Sequence, residues 1–204
     1  MTRGIVVRQL IVIITALLIP VVPFVIIGEL PGDRWLSAFD EHALLFALTG
    51  GGLLALDILL PVPSSILGTL LGARLGLWPG FFATWLGLCI GNAAGFGLAR
   101  FASAGLRDWL PPFPKTTTQV LVFLSRPVPV FAEAVALAAG ATRMPPGHFL
   151  LAIASGNALY ALVLAGNGAA LLPGSIAGPG LVVPMLLPVV AWLAWRRLAR
   201  PAAP

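Results

Sequence analysis

Charged side chains are scarce in this sequence: they make up 9% of its 204 residues, against about a quarter in ordinary soluble domains. Hydrophobic residues make up 59%, and the mean hydropathy is +1.00. This composition excludes a soluble globular protein and predicts an all-α integral membrane protein.

Cysteine and histidine, which many metal and catalytic sites require, are nearly absent as well. The single Cys89 excludes a disulfide within the chain, and we assign it a packing role. His42 and His148 lie at predicted loop edges without partners at metal-ligand spacing. The motifs G-x-S-x-G and H-E-x-x-H are missing too. We therefore expect no metal, no other cofactor and no enzymatic activity.

The basic residues lie at the ends of apolar runs and not on one polar face, although the formal net charge is +5. This distribution argues against nucleic acid as a partner. Under the positive-inside rule it places three parts of the chain in the cytoplasm: the N terminus, the loop after residue 99 and the C terminus. The residues concerned are Arg3, Arg8, Arg100, Arg107, Lys115, Arg196, Arg197 and Arg200.

Four apolar stretches are long enough to cross about 30 Å of hydrocarbon. They are residues 9–28, residues 78–99 and the two halves of 149–195, which a Pro- and Gly-rich turn at 173–180 divides. A cleaved signal peptide is the alternative for the first stretch. That stretch is too long for a signal-peptide core, and no small-x-small cleavage site follows it. We therefore predict four transmembrane helices.

Two further apolar segments, residues 43–77 and 125–147, are too interrupted to cross in one helix. Prolines fix the backbone angle and remove hydrogen-bond donors, so each segment is expected to enter the membrane and return on the same side. In the second segment we expect the helix to begin near Phe131. The breaks are assigned to Pro61, Pro63, Pro127, Pro129 and Gly140.

These broken segments contain ionisable side chains: Asp57 in the first, and Arg126 and Glu133 in the second. Each ionised group at the bilayer centre costs about 2.5–3.5 kcal/mol on insertion scales, so such residues usually line a cavity or a transport path. We predict that Arg126 and Glu133, or Arg126 and Asp57, share a cavity. The alternatives are an interfacial Arg126 and an Asp57 that only caps a helix or forms a turn.

The two broken segments and the helices after them form an internal repeat with an offset of 65 to 69 residues. With the charge bias, the repeat predicts two units of inverted topology, in which broken helices surround a substrate site. Asn92 and Asn157 occupy matching positions, where hydrogen bonds between helices are the expected role. The matching elements are Pro61-Val62-Pro63 with Pro127-Val128-Pro129, Gly72-Ala73 with Gly140-Ala141, Arg74 with Arg143, Pro79-Gly80 with Pro146-Gly147, Phe82 with Phe149, and Gly91-Asn92-Ala93 with Gly156-Asn157-Ala158.

Residues 56–167 resemble the DedA/VTT (SNARE-associated) family of membrane proteins. The most specific similarity is Arg126-Pro127-x-Pro129, followed by Ala139-Gly140-x-x-Arg143-Met144 and Phe149. The resemblance implies that Asp57, ahead of the first P-x-P, and Arg126, at the second, are linked to function. It also implies a lipid scramblase or flippase. The acid that bacterial members have after the first P-x-P is Ser64 or Ser65 here, and a second arginine is replaced by Ala132, which favours a broader branch of the family.

We divide the chain into an N-terminal crossing with its outer loop (1–42), a core with both re-entrant segments (43–170), and a C-terminal crossing with a basic tail (171–204). The expected function is transport of phospholipid or polyprenyl-phosphate lipid across a bacterial inner membrane. Membrane lipids are the expected partners, and protons are partners if Glu133 titrates during transport. The alternatives are a membrane-embedded lipid-processing enzyme and a structural membrane factor.

Overall fold

The computed structural model describes residues 42–58, 60, 62–106, 122, 125 and 129–171, together with seven residues between 7 and 26. All regular structure in these residues is helical, which confirms the predicted all-α class. Five α-helices and one 3₁₀ turn, Ala104–Leu106, are present there. The helices are α1 Ala43–Leu56, α2 Ser64–Leu75, α3 Leu77–Ala102, α4 Pro129–Ala141 and α5 Pro146–Leu171.

Two of these helices, α3 and α5, are long and apolar enough to cross a membrane. Each has 26 residues, which at 1.5 Å per residue gives about 39 Å, more than the ~30 Å of a hydrocarbon core. They correspond to the predicted crossing at 78–99 and to the first half of 149–195. Helices α1, α2 and α4 have 14, 12 and 13 residues, too few to cross alone.

Helices α3 and α5 pack against each other in opposite directions. The rings of Phe96 and Phe149 stack with centroids 4.2 Å apart, and Asn157 Nδ2 lies 3.5 Å from Cys89 Sγ. Further along, a Cβ on Gly166 would lie 3.6 Å from a methyl group of Leu77. Because residue numbers rise along one helix as they fall along the other, the two helices are antiparallel.

Large apolar side chains of both long helices are exposed, while several polar side chains of the described residues are buried. The exposed apolar set includes Leu86, Ile90 and Leu98 on α3, and Leu151 and Leu159 on α5. A water-soluble protein would cover such surface, whereas lipid solvates it. The buried polar set is Asp57, Ser64, Thr69, Thr84, Asn92, Ser103, Ser125, Glu133, Asn157 and Asn167.

The repeat read from the sequence corresponds to two units of matching local structure. In the first unit (64–102), α2 leads through Gly76 into α3, and in the second (129–171), α4 leads through a four-residue turn into α5. Gly76 has φ 83° and Arg143 has φ 60°, so both turns use the left-handed backbone region. These two residues are 67 positions apart, within the offset of the sequence repeat.

Each short helix packs on the long helix of the other unit: α2 on α5, and α4 on α3. A methyl group added to Gly72 would collide with the backbone of Ala165, and one added to Gly140 would collide with the backbone of Phe96. The two glycines are 68 residues apart, and their two partners are 69 apart. A two-fold axis that exchanges the units would therefore also exchange these two contacts.

The helix breaks lie close to their expected positions. Gly140 lies in the last turn of α4, one residue before the helix ends, and its missing side chain lets α4 approach the backbone of Phe96. Helix α4 begins at Pro129, two residues before Phe131, since proline is well tolerated in a first helical turn. Pro63 directly precedes α2, as expected. Pro61 and Pro127 lie outside the described residues.

Candidate functional site

Asp57 joins the end of α1 to the start of α2. Its side chain is 9% exposed, and its carboxylate accepts hydrogen bonds from the Ser64 hydroxyl and the Val62 backbone N–H. Because Ser64 is the first residue of α2, the carboxyl group lies near the positive end of that helix. The turn role for Asp57, which the sequence left open, is thus present in the structure.

The residue after Asp57 connects the first broken segment to α4. Ile58 forms a buried cluster with Ala134 and Leu137 of α4, and Ala99 and Ala138 pack against it. We refer to these residues as the Ile58 cluster. It is the point where the break between α1 and α2 contacts the second unit.

Glu133 lies in the first half of α4 and is 8% exposed. It directly precedes Ala134, a member of the Ile58 cluster, just as Asp57 directly precedes Ile58. The two buried acids, 76 positions apart in the sequence, thus adjoin the same apolar contact between the first helix break and the second unit. Arg126, the predicted partner of one or both acids, lies outside the described residues, and its pairing stays a prediction.

The two asparagines of the repeat make different hydrogen bonds. Asn157 Nδ2 points from α5 to Cys89 Sγ on α3, whereas Asn92 Nδ2 donates to the Leu88 carbonyl of its own helix at 2.6 Å. A further bond between the long helices runs from Trp85 Nε1 to the Ala154 carbonyl at 2.8 Å. The interhelical role predicted for asparagine is therefore visible for Asn157. No sequence motif predicts the hydrogen bond of Trp85.

An apolar groove of about 490 Å³ opens on the outer face of α3, next to the Ile58 cluster. Its volume falls in the range of about 300–1,000 Å³ typical of small-molecule sites. The lining is hydrocarbon and glycine throughout, so the groove is suited to an acyl or prenyl chain and not to a polar ligand. It is lined by Ile58, Ala94, Gly95, Gly97, Leu98 and Phe101.

Two arginines lie at the turn between α4 and α5. Arg143 adopts the left-handed conformation at the end of α4, where its N–H bonds to the Gly140 carbonyl and the Met144 N–H bonds to the Ala139 carbonyl. This is the Schellman pattern, in which glycine is the usual residue. Arg100 donates from Nη1 to the Met144 carbonyl at 3.0 Å. The role of Arg100 was missed from sequence because its partner is 44 residues away.

Among the described residues, no three His, Cys, Asp or Glu side chains come together in a way that could hold a metal ion. The possible chemistry of the site therefore rests on the two buried acids, the apolar groove beside them and the helix breaks that position them.

A family model for the VTT domain matches residues 62–170, which is just over half of the chain and includes both units. Comparisons with curated proteins and with solved structures found no match. The matched range contains Glu133, both asparagines and the interlocked helices α2 to α5, while Asp57 lies five residues before it. This chain therefore belongs to the VTT-domain family, the family of DedA and SNARE-associated proteins, and is a membrane protein.

Proposed function

We propose that this protein transports lipid across the bacterial inner membrane, as a scramblase or flippase for phospholipid or polyprenyl-phosphate lipid. The observation that supports this most is the position of Asp57 and Glu133. Both acids are buried, and both adjoin the contact between a helix break and the second unit. Acidic residues at membrane depth are costly and are by default functional.

The apolar groove supports a lipid in preference to a polar solute. A lipid that crosses the bilayer has to keep its hydrocarbon chains in an apolar medium while its headgroup passes polar side chains. The groove shares Ile58 with the cluster that adjoins both acids. In our proposal the chain of the lipid occupies the groove, and the headgroup lies on the side of Asp57 and Glu133.

Arg126 is proposed to bind the lipid phosphate, because guanidinium–phosphate pairs are strong and can be bidentate. When the phosphate takes Arg126 as its partner, Glu133 loses a positive neighbour and binds a proton. Lipid binding is then coupled to protonation, which makes protons a second partner. This step explains why an acid and an arginine are placed in one broken segment.

We propose a multi-pass topology with four crossings and two re-entrant segments inserted from opposite faces. The antiparallel packing of α3 and α5 and the exchanged packing of the short helices support it. In this topology the two units are inverted copies, and the substrate site lies between the broken helices near the midplane.

The protein is proposed to have no enzymatic activity. A lipid-processing enzyme would need a nucleophile with a base, or a metal site. The sequence has two histidines and one cysteine, and neither G-x-S-x-G nor H-E-x-x-H occurs in it.

The test is reconstitution into liposomes that contain either a fluorescent phospholipid or a labelled polyprenyl phosphate. Wild-type protein should speed the transfer between leaflets of at least one of them. Glu133→Gln and Asp57→Asn should each slow it by about tenfold, equivalent to ~1.4 kcal/mol in the barrier. Ser155→Ala is the matched control, since Ser155 is exposed on α5 and bonds within its own helix.

Chemical change of either lipid would support the enzyme alternative. No transfer and no chemical change by folded wild-type protein would leave the structural alternative. Transfer at the wild-type rate by both acid variants would show that the buried acids serve the fold and not transport.

A further inference from the structure

The two units share their local structure but differ at one corner. In the first unit the corner is where α2 meets the first turn of α3, and in the second it is where α4 meets the first turn of α5. The residues to compare are Gly80 and Gly147, which follow matching prolines and are 67 positions apart.

At the first corner the helices are in close contact. Gly80 is buried, and a Cβ added to it would lie 2.7 Å from both the Cα of Gly72 and the carbonyl oxygen of Leu71. Real Cβ atoms do not approach backbone so closely, so the start of α3 rests on the backbone of α2 through this glycine. The first corner is therefore closed.

The second corner is open. Gly147 is exposed, and a Cβ added to it would have no heavy atom of the described residues within 4 Å. The described packing therefore does not require glycine at this position.

Two close contacts between the units form an exchangeable pair. Gly72 lies against Ala165, and Gly140 lies against Phe96. If the units exchanged conformations, each of these two contacts would be replaced by the other. The corners would change, because Gly147 would then close against α4 while Gly80 opened.

We propose that this structure is one of two states related by that exchange, and that Gly147 is a contact residue of the second state. The exchange keeps the paired contacts of Gly72 and Gly140, so the second state retains this part of the interface between the units. The second state closes Gly147 on the backbone of α4 near Gly140. This proposal rests on the proposed function in one respect: lipid transport is the reason for opening the site between the units alternately from two sides.

The first experiment compares Gly147→Leu with Gly52→Leu in the liposome assay and in thermal unfolding. Gly52 is an exposed glycine of α1 outside the apolar groove, and both glycines have open space around them in this state, so both variants should fold with the wild-type melting temperature. Gly147→Leu should lower lipid transfer by about tenfold or more, because the leucine excludes the second state. Gly52→Leu tests whether bulk on an open glycine is harmful in itself. Transfer by Gly147→Leu at the rate of Gly52→Leu would overturn the proposal.

The second experiment needs no transport. A cysteine at position 147, in a Cys89→Ser background, is labelled with a thiol reagent. Adding Gly80→Ala makes this state unfavourable, because the methyl group collides with α2. The population then shifts to the second state, and labelling should slow several-fold. Gly97→Ala is the control and should leave the labelling rate unchanged.

An unchanged labelling rate with Gly80→Ala would overturn the two-state proposal. Faster labelling together with a lost melting transition would do so as well, since no second state would then accommodate the methyl group. If wild-type protein moves no lipid but labelling slows as expected, the proposed function fails and the two states stand.

Discussion

Arg143 adopts a backbone conformation that an L-amino acid with a side chain rarely takes. Its φ of 60° brings Cβ close to the carbonyl oxygen, at a cost of about 1–2 kcal/mol relative to glycine. Arg143→Gly should therefore be more stable than Arg143→Ala by about 1 kcal/mol, because both variants lose the same side-chain contacts and differ only in this strain. Denaturant unfolding in detergent measures the difference. Equal stability of the two variants would contradict the strain assigned to the turn.

Asp57 accepts hydrogen bonds from two groups that have little access to water. Asp57→Ala leaves the Val62 N–H and the Ser64 hydroxyl without that acceptor, so the free energy of unfolding should fall by about 1–3 kcal/mol. Asp57→Asn keeps one acceptor oxygen and should lose less. Ser64→Ala removes one donor and serves as the partner control. If Asp57→Ala and Asp57→Asn lower the free energy of unfolding by the same amount, these hydrogen bonds do not stabilise the segment between α1 and α2.

The sequence predicted the burial of Asp57 and Glu133 because each lies deep inside an apolar run. It did not predict that Ile58 would connect them, since a cluster between residues 58, 134 and 137 depends on how the units pack. The close packing of Gly140 on the backbone of Phe96 was not predicted, for a related reason. A glycine that ends a helix and one that admits a neighbouring helix have the same local sequence signal.

Helix pairs in this fold approach closely where one helix has a glycine. Gly72→Ala and Gly140→Ala should each destabilise the protein by about 1–3 kcal/mol, because the added methyl group collides with the backbone of the facing helix. Gly97→Ala should instead stabilise it by up to about 1 kcal/mol, since the site is open and alanine favours a helix. Thermal unfolding of the three variants measures their order of stability. A Gly72 or Gly140 variant as stable as Gly97→Ala would show that the helices do not pack this closely.

At the level of elements, the sequence predicted the break between α1 and α2 and the extent of α3 to within three residues at each end. Prolines and the length of apolar runs were sufficient for this because they act locally. The exchanged packing of the short helices was not predictable in the same way. The repeat in the sequence shows that two units exist, but not which helix of one contacts which helix of the other.

The antiparallel arrangement of α3 and α5 makes a prediction about the whole molecule. Gly105, after the end of α3, and His148, at the start of α5, should lie on one side of the membrane. Trp78, at the start of α3, and Ala170, near the end of α5, should lie on the other. Single cysteines at these exposed positions, in a Cys89→Ser background, can be labelled with an impermeant reagent. The positive-inside rule places Gly105 and His148 in the cytoplasm.

Labelling of Gly105→Cys and Trp78→Cys from the same side would show that α3 does not cross the membrane. Labelling of Gly105→Cys and His148→Cys from opposite sides would contradict the antiparallel pairing. The predicted crossings at 9–28 and in the second half of 149–195 extend beyond the described residues, and the same method tests them independently.

The exchange of short helices between the units also bears on biosynthesis. Because α2 packs on α5, the contact of Gly72 with Ala165 cannot form until the ribosome has completed α5, about 100 residues later. Neither half is therefore a finished folding unit, although each contains a long apolar helix that can insert by itself.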